Sequence, residues 1–132
     1  MTPTGGLRPP RTTPVRERTS PRIPRIWRGP WRVAVAGHSM EPALREGDWL
    51  LVLPPRREPR VGEVVVVRDP RDAKRLLLKR VAAVHDREVT VMGDRRDHST
   101  DSRYFGDVPL SDVVGRAAFR YKPLTRVGRV RR

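Results

Sequence analysis

The sequence contains no cysteine, so it can form neither disulfide bonds nor thiolate metal sites. It also lacks a long hydrophobic run, and the longest apolar stretch near its start is the four residues Val33 to Ala36. A secretory signal needs an apolar stretch of about 7–15 residues, and a membrane-spanning helix needs about 20. We therefore expect no encoded membrane anchor.

Acidic residues are scarce, with 15 Asp and Glu against 29 Lys and Arg, which gives a formal net charge of +14. The excess lies mostly at the two ends. Residues 1–30 carry seven Arg and one Glu, residues 124–132 carry four Arg and no acid, and residues 31–123 carry 18 basic and 14 acidic residues. An Arg-rich nucleic-acid-binding module is therefore an alternative that we do not favour, because the middle segment is close to neutral and lacks aromatic side chains interleaved with basic ones.

The distribution of proline and charge divides the chain into three parts. Residues 1–30 contain seven prolines, which break helices, and have almost no apolar periodicity. We predict a disordered Pro/Arg-rich arm at 1–30, one domain at 31–123 and a basic tail at 124–132. At 132 residues the chain has room for one modest domain and not for a second hydrophobic core.

Short apolar runs separated by turn residues fill the middle segment, which predicts an all-β domain of compact antiparallel sheets. We expect strands at 31–36, 49–53, 62–68, 76–84, 88–92 and 112–121. The sequence Asp69-Pro70-Arg71-Asp72 has the composition of a turn and predicts a long hairpin. Residues 39–46 predict a short helical turn at most, and residues 124–132 have too weak a pattern to predict an element.

Two residues stand out chemically, Ser39 and Lys79. A serine hydroxyl becomes a good nucleophile when a nearby base takes its proton, and an unprotonated lysine can be that base. On a strand, Lys79 would share a face with Leu77 and Val81, and burial there would lower its pKa, with the adjacent charge of Arg80 acting in the same direction. Taken alone, Ser39 could simply cap a turn and Lys79 could extend into solvent.

Three blocks of sequence occur in an order that resembles the bacterial signal peptidase I family, and the resemblance covers about residues 32–121. Ser39 lies in the first block, Gly37-His38-Ser39-Met40-Glu41-Pro42 followed by Gly47-Asp48, and Lys79 in the second, Lys79-Arg80-Val81. The third block begins with Gly93-Asp94 and continues through Asp97-His98-Ser99-Thr100-Asp101-Ser102-Arg103 to Phe105-Gly106 and Val108. Self-cleaving repressors share the first two blocks, but the third is typical of signal peptidases.

The resemblance implies a role for each matched residue. Ser39 would be the nucleophile that forms an acyl-enzyme, and Lys79 the general base. Ser99 would orient the lysine. Asp101 and Arg103 would support the site through an ion pair, although a plain turn-stabilising role for Asp101 fits as well. Met40 would help to shape the substrate pocket. At Gly37 many members have a serine that helps to bind the oxyanion, so only the backbone N–H of Ser39 is expected to serve here.

The resemblance implies a serine endopeptidase that removes an N-terminal signal or pro-segment from a precursor protein. A soluble protease that matures the precursor of nickel-type superoxide dismutase is an alternative within the same family. Neither needs a metal or a cofactor. The expected partner is the precursor, with peripheral contact to an anionic membrane through the basic tails. We expect a cytoplasmic location or one at the periphery of the bacterial membrane.

Three other functions are disfavoured by the sequence. His38, His85 and His98, with Asp86, Asp97 and Asp101, invite a Ser/His/Asp triad, but none lies in a recognisable triad motif. A metal site from His85-Asp86 and Asp97-His98 is weaker, because adjacent residues rarely converge on one ion. A self-cleaving repressor would need a helical DNA-binding domain, for which residues 1–30 are too short and too rich in proline.

Overall fold

A computed structural model describes residues 15–17 and 29–132 of the chain. Most of the predicted arm at 1–30 lies outside the described residues. Within the described part, nine strands pair exclusively in antiparallel fashion, which confirms the all-β prediction. The strands are β1 (Val15–Glu17), β2 (Trp31–Val35), β3 (Trp49–Leu53), β4 (Val64–Asp69), β5 (Asp72–His85), β6 (Glu88–Met92), β7 (Val108–Pro109), β8 (Val113–Lys122) and β9 (Gly128–Arg129).

The strands form one sheet in the order β1-β2-β3-β8-β4-β5-β6-β7, with β9 added to β8. Insertion of β8 between β3 and β4 joins the N-terminal strands to the central hairpin of β4 and β5. Among the described residues, single turns of 3-10 helix occupy Arg96–His98, Leu110–Asp112 and Leu124–Arg126, and one short α-helix, α1, spans Ser102–Phe105. The helical content of residues 29–132 is therefore confined to the connections between strands.

The sheet separates two hydrophobic cores because alternate residues of a strand point to opposite faces. On β4, Val64 and Val66 pack in the first core, while Val65 and Val67 pack in the second. β5 divides in the same way, with Leu78 in the first core and Leu77 in the second. This hairpin is consequently buried on both faces, which explains its continuous apolar sequence.

The hairpin turn forms where the sequence predicts it, and Asp69 pairs with Asp72 across it. The buried carboxylate of Asp69 accepts hydrogen bonds from the backbone N–H and the guanidinium of Arg71. This local bonding is the usual reason that aspartate favours turns. It also lets β5 begin at Asp72, four residues earlier than its apolar run suggests.

The C-terminal residues pack against the sheet, although their sequence predicts no element there. β9 pairs with β8 through Phe119 and Arg120. The buried carboxylate of Asp48 accepts hydrogen bonds from Arg120 at 3.2 Å and from Arg126 at 2.8 Å. Asp48 thus joins the start of β3 to β8 and to the last 3-10 turn, which are far from it in sequence.

Candidate active site

Ser39 lies four residues beyond the end of β2, on a tight turn that begins at Gly37. The φ angle of Gly37 is +86°, a left-handed conformation that favours glycine. The turn contains a 3-10-type hydrogen bond from the N–H of Glu41 to the carbonyl of His38 at 3.1 Å and an α-helical one from the N–H of Leu44 to the carbonyl of Met40 at 2.9 Å. The carbonyl of Ser39 accepts a hydrogen bond from the N–H of Arg95 at 2.7 Å, so the loop after β6 contacts this turn directly.

Lys79 reaches the same point from the middle of β5. Its Nζ atom lies 3.4 Å from Ser39 Oγ and 2.9 Å from Ser99 Oγ. The relative exposure of both Lys79 and Ser39 is 0%. The structure thus brings together two residues that are 40 positions apart in the sequence, within hydrogen-bonding reach of each other.

Burial lowers the pKa of Lys79 to about 7 from its usual value near 10.5, because an ammonium ion is poorly solvated there. The negative charge of Asp101 acts in the opposite direction, and the positive charge of Arg71 lowers the pKa further. Close to half of the lysine side chains would therefore be neutral amines at pH 7, and a neutral amine can accept a proton.

The charge that acts on Lys79 is not the one that its neighbour in sequence suggests. Arg80 points to the other side of β5, where its guanidinium makes a two-point ion pair with Asp94, with both distances 2.8 Å. Arg71 and Arg103 instead supply the positive charges that lower the pKa of Lys79. Sequence proximity is a poor guide here because successive strand residues face opposite sides.

Ser99 connects Lys79 to a buried carboxylate. The hydroxyl of Ser99 donates a hydrogen bond to Asp101 Oδ2 at 2.9 Å and accepts one from Lys79 Nζ. Asp101 is itself fully buried and also accepts a hydrogen bond from the N–H of Gly93 at 2.9 Å. Because each hydrogen bond fixes the next, the orientation of the lysine depends on this chain of contacts.

Asp101 stays ionised through its partners. Burial alone would raise its pKa, but the guanidinium of Arg103 and the N–H of Gly93 outweigh that effect and leave the pKa below its usual value. The ion pair expected between Asp101 and Arg103 is present, with Nε to Oδ1 at 2.9 Å. Asp101 also accepts a hydrogen bond from the backbone N–H of Arg103, so it caps α1 and therefore serves the turn as well.

Gly93 is important for the geometry of the site in a way that the sequence does not reveal. A Cβ atom at this position would lie 2.1 Å from Ser99 Oγ and 2.9 Å from the carbonyl of Ser39. The backbone after β6 therefore passes directly over the site, and only glycine leaves room for it. The sequence feature that could have pointed to this residue is the pair Gly93-Asp94, which opens the third block.

Met40 is also fully buried, and it packs in the first hydrophobic core with residues such as Val33 and Leu44. Its role in a substrate pocket therefore stays a prediction, as does the use of the Ser39 N–H for an oxyanion. The neighbouring glycine at position 37 has a conformational reason to be there, independent of catalysis.

The three histidines are paired with carboxylates. His38 contacts Glu41 and His85 contacts Asp107, each at 2.6 Å, and His98 contacts Asp97 at 3.2 Å. These contacts give no support to a Ser/His/Asp triad. Among the described residues, the ligand atoms of His85, Glu88 and Asp107 lie within 4.8 Å of one another, a combination different from the one that the sequence suggests. His85 is six strand residues from Lys79, or about 20 Å along β5, so this cluster is separate from the site.

Comparison with known proteins identifies the family. The family model described as signal peptidase, peptidase S26, matches residues 29–85 and 82–122. The chain therefore belongs to the peptidase S26 family of signal peptidases, as the three sequence blocks predict. The matched region contains both Ser39 and Lys79 and every residue that contacts them in the network above.

Similar proteins come from bacteria and from mitochondria. The mitochondrial ATP-independent inner membrane protease subunit 1a of Arabidopsis thaliana is 37% identical over 93 residues, covering 54% of this chain and 55% of the relative. A probable signal peptidase I-1 of Synechocystis is 43% identical over 47 residues, covering 36% and 24%. The mitochondrial inner membrane protease subunit 2 of Schizosaccharomyces pombe is 28% identical over 120 residues, covering 73% and 67%.

The chain spans about half the length of the first of these relatives and a quarter of the second. Across the residues that the structure describes, no helix has both the length and the apolar character needed to cross a bilayer.

Proposed function

We propose that this protein is a serine endopeptidase that removes an N-terminal segment from a precursor protein, with Ser39 as nucleophile and Lys79 as general base. The observation that supports this proposal most directly is the contact between Lys79 Nζ and Ser39 Oγ inside a fully buried site. Membership of the peptidase S26 family supports the same reaction class. The separation of 3.4 Å is compatible with catalysis, since such contacts often shorten when substrate binds.

The hydrogen bonds around Lys79 suggest how the proton would move. The O–H of Ser99 is already donated to Asp101, so the Ser99 oxygen can only accept from Lys79. A neutral amine that donates one N–H to Ser99 keeps its lone pair free for the hydroxyl of Ser39. Ser99 and Asp101 thus orient the amine so that its basic lone pair points at the nucleophile.

The reaction would proceed through an acyl-enzyme. Ser39 Oγ bonds to the scissile carbonyl carbon as its proton passes to Lys79 Nζ. The C–N bond then breaks, and Lys79 returns the proton to the departing amine. A water molecule next attacks the ester carbonyl carbon as Lys79 takes one of its protons. The bond from that carbon to Ser39 Oγ then breaks, Lys79 returns the proton to Ser39 Oγ, and the carboxylate product leaves. The backbone N–H of Ser39 would stabilise the oxyanion, without help from a side chain at Gly37.

The substrate class is tested with two purified precursors, one with a signal peptide and one of nickel-type superoxide dismutase. Mass spectrometry of each would detect a new N-terminus after incubation with the wild-type protein. Ser39→Ala and Lys79→Ala should each abolish cleavage, because one removes the nucleophile and the other its base. The exposed residues Ser111 and Lys122 provide matched controls, since Ser111→Ala and Lys122→Ala should leave cleavage unchanged. Cleavage that persists in either dyad variant would refute the proposed mechanism.

A further inference from the structure

The two strands that carry the site each have an edge that could bind an extended peptide. β2, which leads to Ser39, pairs with β3 along one edge. Its other edge pairs with the three-residue strand β1 and with no other described strand. β5 pairs with β4 from Asp72 to Arg80, but β6 joins its other edge only from Arg80 onward. Among the described residues, the edge of β5 from Asp72 to Lys79 that faces away from β4 therefore has no hydrogen-bonded strand.

A short segment of the chain's own N-terminal region lies at these edges. β1 pairs with β2 in antiparallel register, with Val15 opposite Val35 and Glu17 opposite Val33. β1 also approaches β5, with Cα atoms of the two strands within 8 Å of each other. The segment thus lies beside both the strand that leads to the nucleophile and the strand that carries the base. Val15 lies opposite Val35, which precedes Ser39 by four residues.

An incoming substrate would compete for the same place. Exposed strand edges bind extended peptides through main-chain hydrogen bonds, and a peptidase must hold its substrate backbone close to the nucleophile. In this structure Ser39 and Lys79 have no exposed surface. A substrate could reach them only after the site opens.

We propose that the segment Val15–Glu17 is an internal occupant of the substrate cleft and inhibits the protease by competing with its substrate. The inference rests on the proposed function, because it assumes that peptides bind between β2 and β5. A strand of three residues is easily displaced, but its attachment gives it an effective concentration in the millimolar range. Substrate would bind only the open fraction of molecules, so the segment should raise KM and leave kcat nearly unchanged.

Disulfide trapping in the full chain tests the position of the segment. Because the protein has no cysteine, the pair Arg16→Cys and Ala34→Cys would be its only thiols. These residues are opposite each other in the observed register, and such pairs fall within the distance that a disulfide spans. The matched control combines Arg16→Cys with Arg32→Cys. Arg32 lies on β2, as Ala34 does, but two residues away from the position opposite Arg16. We expect the first pair to form an intramolecular disulfide at least tenfold faster under mild oxidation. Equal rates would overturn the inference.

Locking the segment in place should then block the cleft. The probe is an N-acetylated tripeptide of alanine ending in a boronic acid, which adds to an accessible serine hydroxyl and is measured by titration calorimetry. We expect at least tenfold weaker binding to the disulfide form than to the same protein after reduction. Equal binding to both forms would overturn the inference while leaving the proposed function intact. If the first cysteine pair crosslinks faster but the probe binds neither form, the result would count against the proposed function. The inference would then fail as well, because it assumes a cleft for which segment and substrate compete.

Discussion

At the scale of single residues, the environment of Lys79 decides what its amine can do. The side chain is fully buried beside two hydroxyls, and the carboxylate of Asp101 hydrogen-bonds to Ser99 and forms no direct ion pair with the amine. A direct ion pair would have held the lysine in its charged form. Burial without such a partner instead produces a base whose pKa is about 7, a value suited to proton transfer at neutral pH.

This environment predicts the pH dependence of cleavage. Below pH 7 the ammonium form of Lys79 predominates and cannot accept the proton of Ser39, so kcat/KM should be low. It should rise with pH, reach half of its maximum near pH 7 and level off about one to two units above that. The measurement is kcat/KM from pH 5 to pH 9 with a precursor that the wild-type protein cleaves. A midpoint near 10, or a rate that falls as the pH passes 7 upward, would contradict the prediction.

Two substitutions should shift this midpoint in opposite directions. Asp101 raises the pKa of Lys79, so Asp101→Asn should move the midpoint to lower pH. Arg103 lowers that pKa, so Arg103→Gln should move the midpoint to higher pH. The two side chains form one ion pair, and a purely structural role would not give shifts of opposite sign. The pH profiles of both variants provide the comparison.

Folding of the two variants must be checked first by circular dichroism. Removing one partner of a buried ion pair typically costs about 3–5 kcal/mol. Arg103 is partly exposed, so Arg103→Gln should be tolerated better than Asp101→Asn. If only the Arg103 variant folds, its upward shift still decides the question, and an unchanged midpoint would show that Lys79 does not respond to this pair.

At the scale of structural elements, the site is held by the contact between the turn after β2 and the loop after β6. The loop approaches closely enough for the N–H of Arg95 to bond to the carbonyl of Ser39, and Gly93 lies against Ser99. The ion pair between Arg80 and Asp94 fastens the same loop to β5. These contacts fix Ser99 relative to Lys79.

Gly93→Ala should therefore separate Ser99 from Lys79. Its methyl group would lie 2.1 Å from Ser99 Oγ and 2.4 Å from Ser99 Cβ, so the loop must move. We expect a loss of activity of at least tenfold, together with the ~1–3 kcal/mol destabilisation typical of overpacking. Activity per folded molecule and urea denaturation measure the two effects.

Gly115→Ala is the matched control for this substitution. Gly115 lies on β8, away from the hydrogen bonds of Ser99. The added methyl group would lie 2.4 Å from Val52 Cγ1. The free energy of unfolding should fall by a similar amount, while activity per folded molecule stays close to that of the wild type. Equal loss of activity in both variants would show that Gly93 acts only through general stability.

At the scale of the whole molecule, the buried lysine makes stability depend on pH. Between about pH 7 and pH 10.5 the unfolded chain binds a proton at Lys79 that the folded protein does not bind. The free energy of unfolding should therefore rise with pH in this window, by up to about 1.4 kcal/mol per unit from this group. At neutral pH, protonation of Lys79 therefore stabilises the unfolded chain relative to the folded protein.

Lys79→Met tests this linkage because it keeps a long side chain and removes the titrating group. The difference in unfolding free energy, wild type minus variant, should increase as the pH is raised from 7 to 9.5. Urea denaturation of both proteins at matched pH values measures it, and contributions from other titrating groups cancel in the difference. Parallel stability curves would mean that the folded protein holds Lys79 with an ordinary pKa.

The sequence by itself determined the class of fold, the main strands and the three blocks that contain the candidate site. These features depend on local patterns: apolar runs predict strands, Asp-Pro predicts the hairpin turn, and the alternation of faces places Lys79 with Leu77 and Val81. β7 and β9 escaped prediction because a two-residue strand has no period to detect. β9 exists because β8 offers it an edge.

Only the tertiary structure decided which charges reach Lys79 and how the site is closed. Arg80 is adjacent in sequence but turned away toward Asp94, whereas Asp101 and Arg103, more than 20 residues distant, act on the amine. Burial of Ser39 and the approach of β1 likewise depend on which strands become neighbours. Electrostatic effects and burial depend on distance in space, and that distance is set by the packing of segments that lie far apart in the chain.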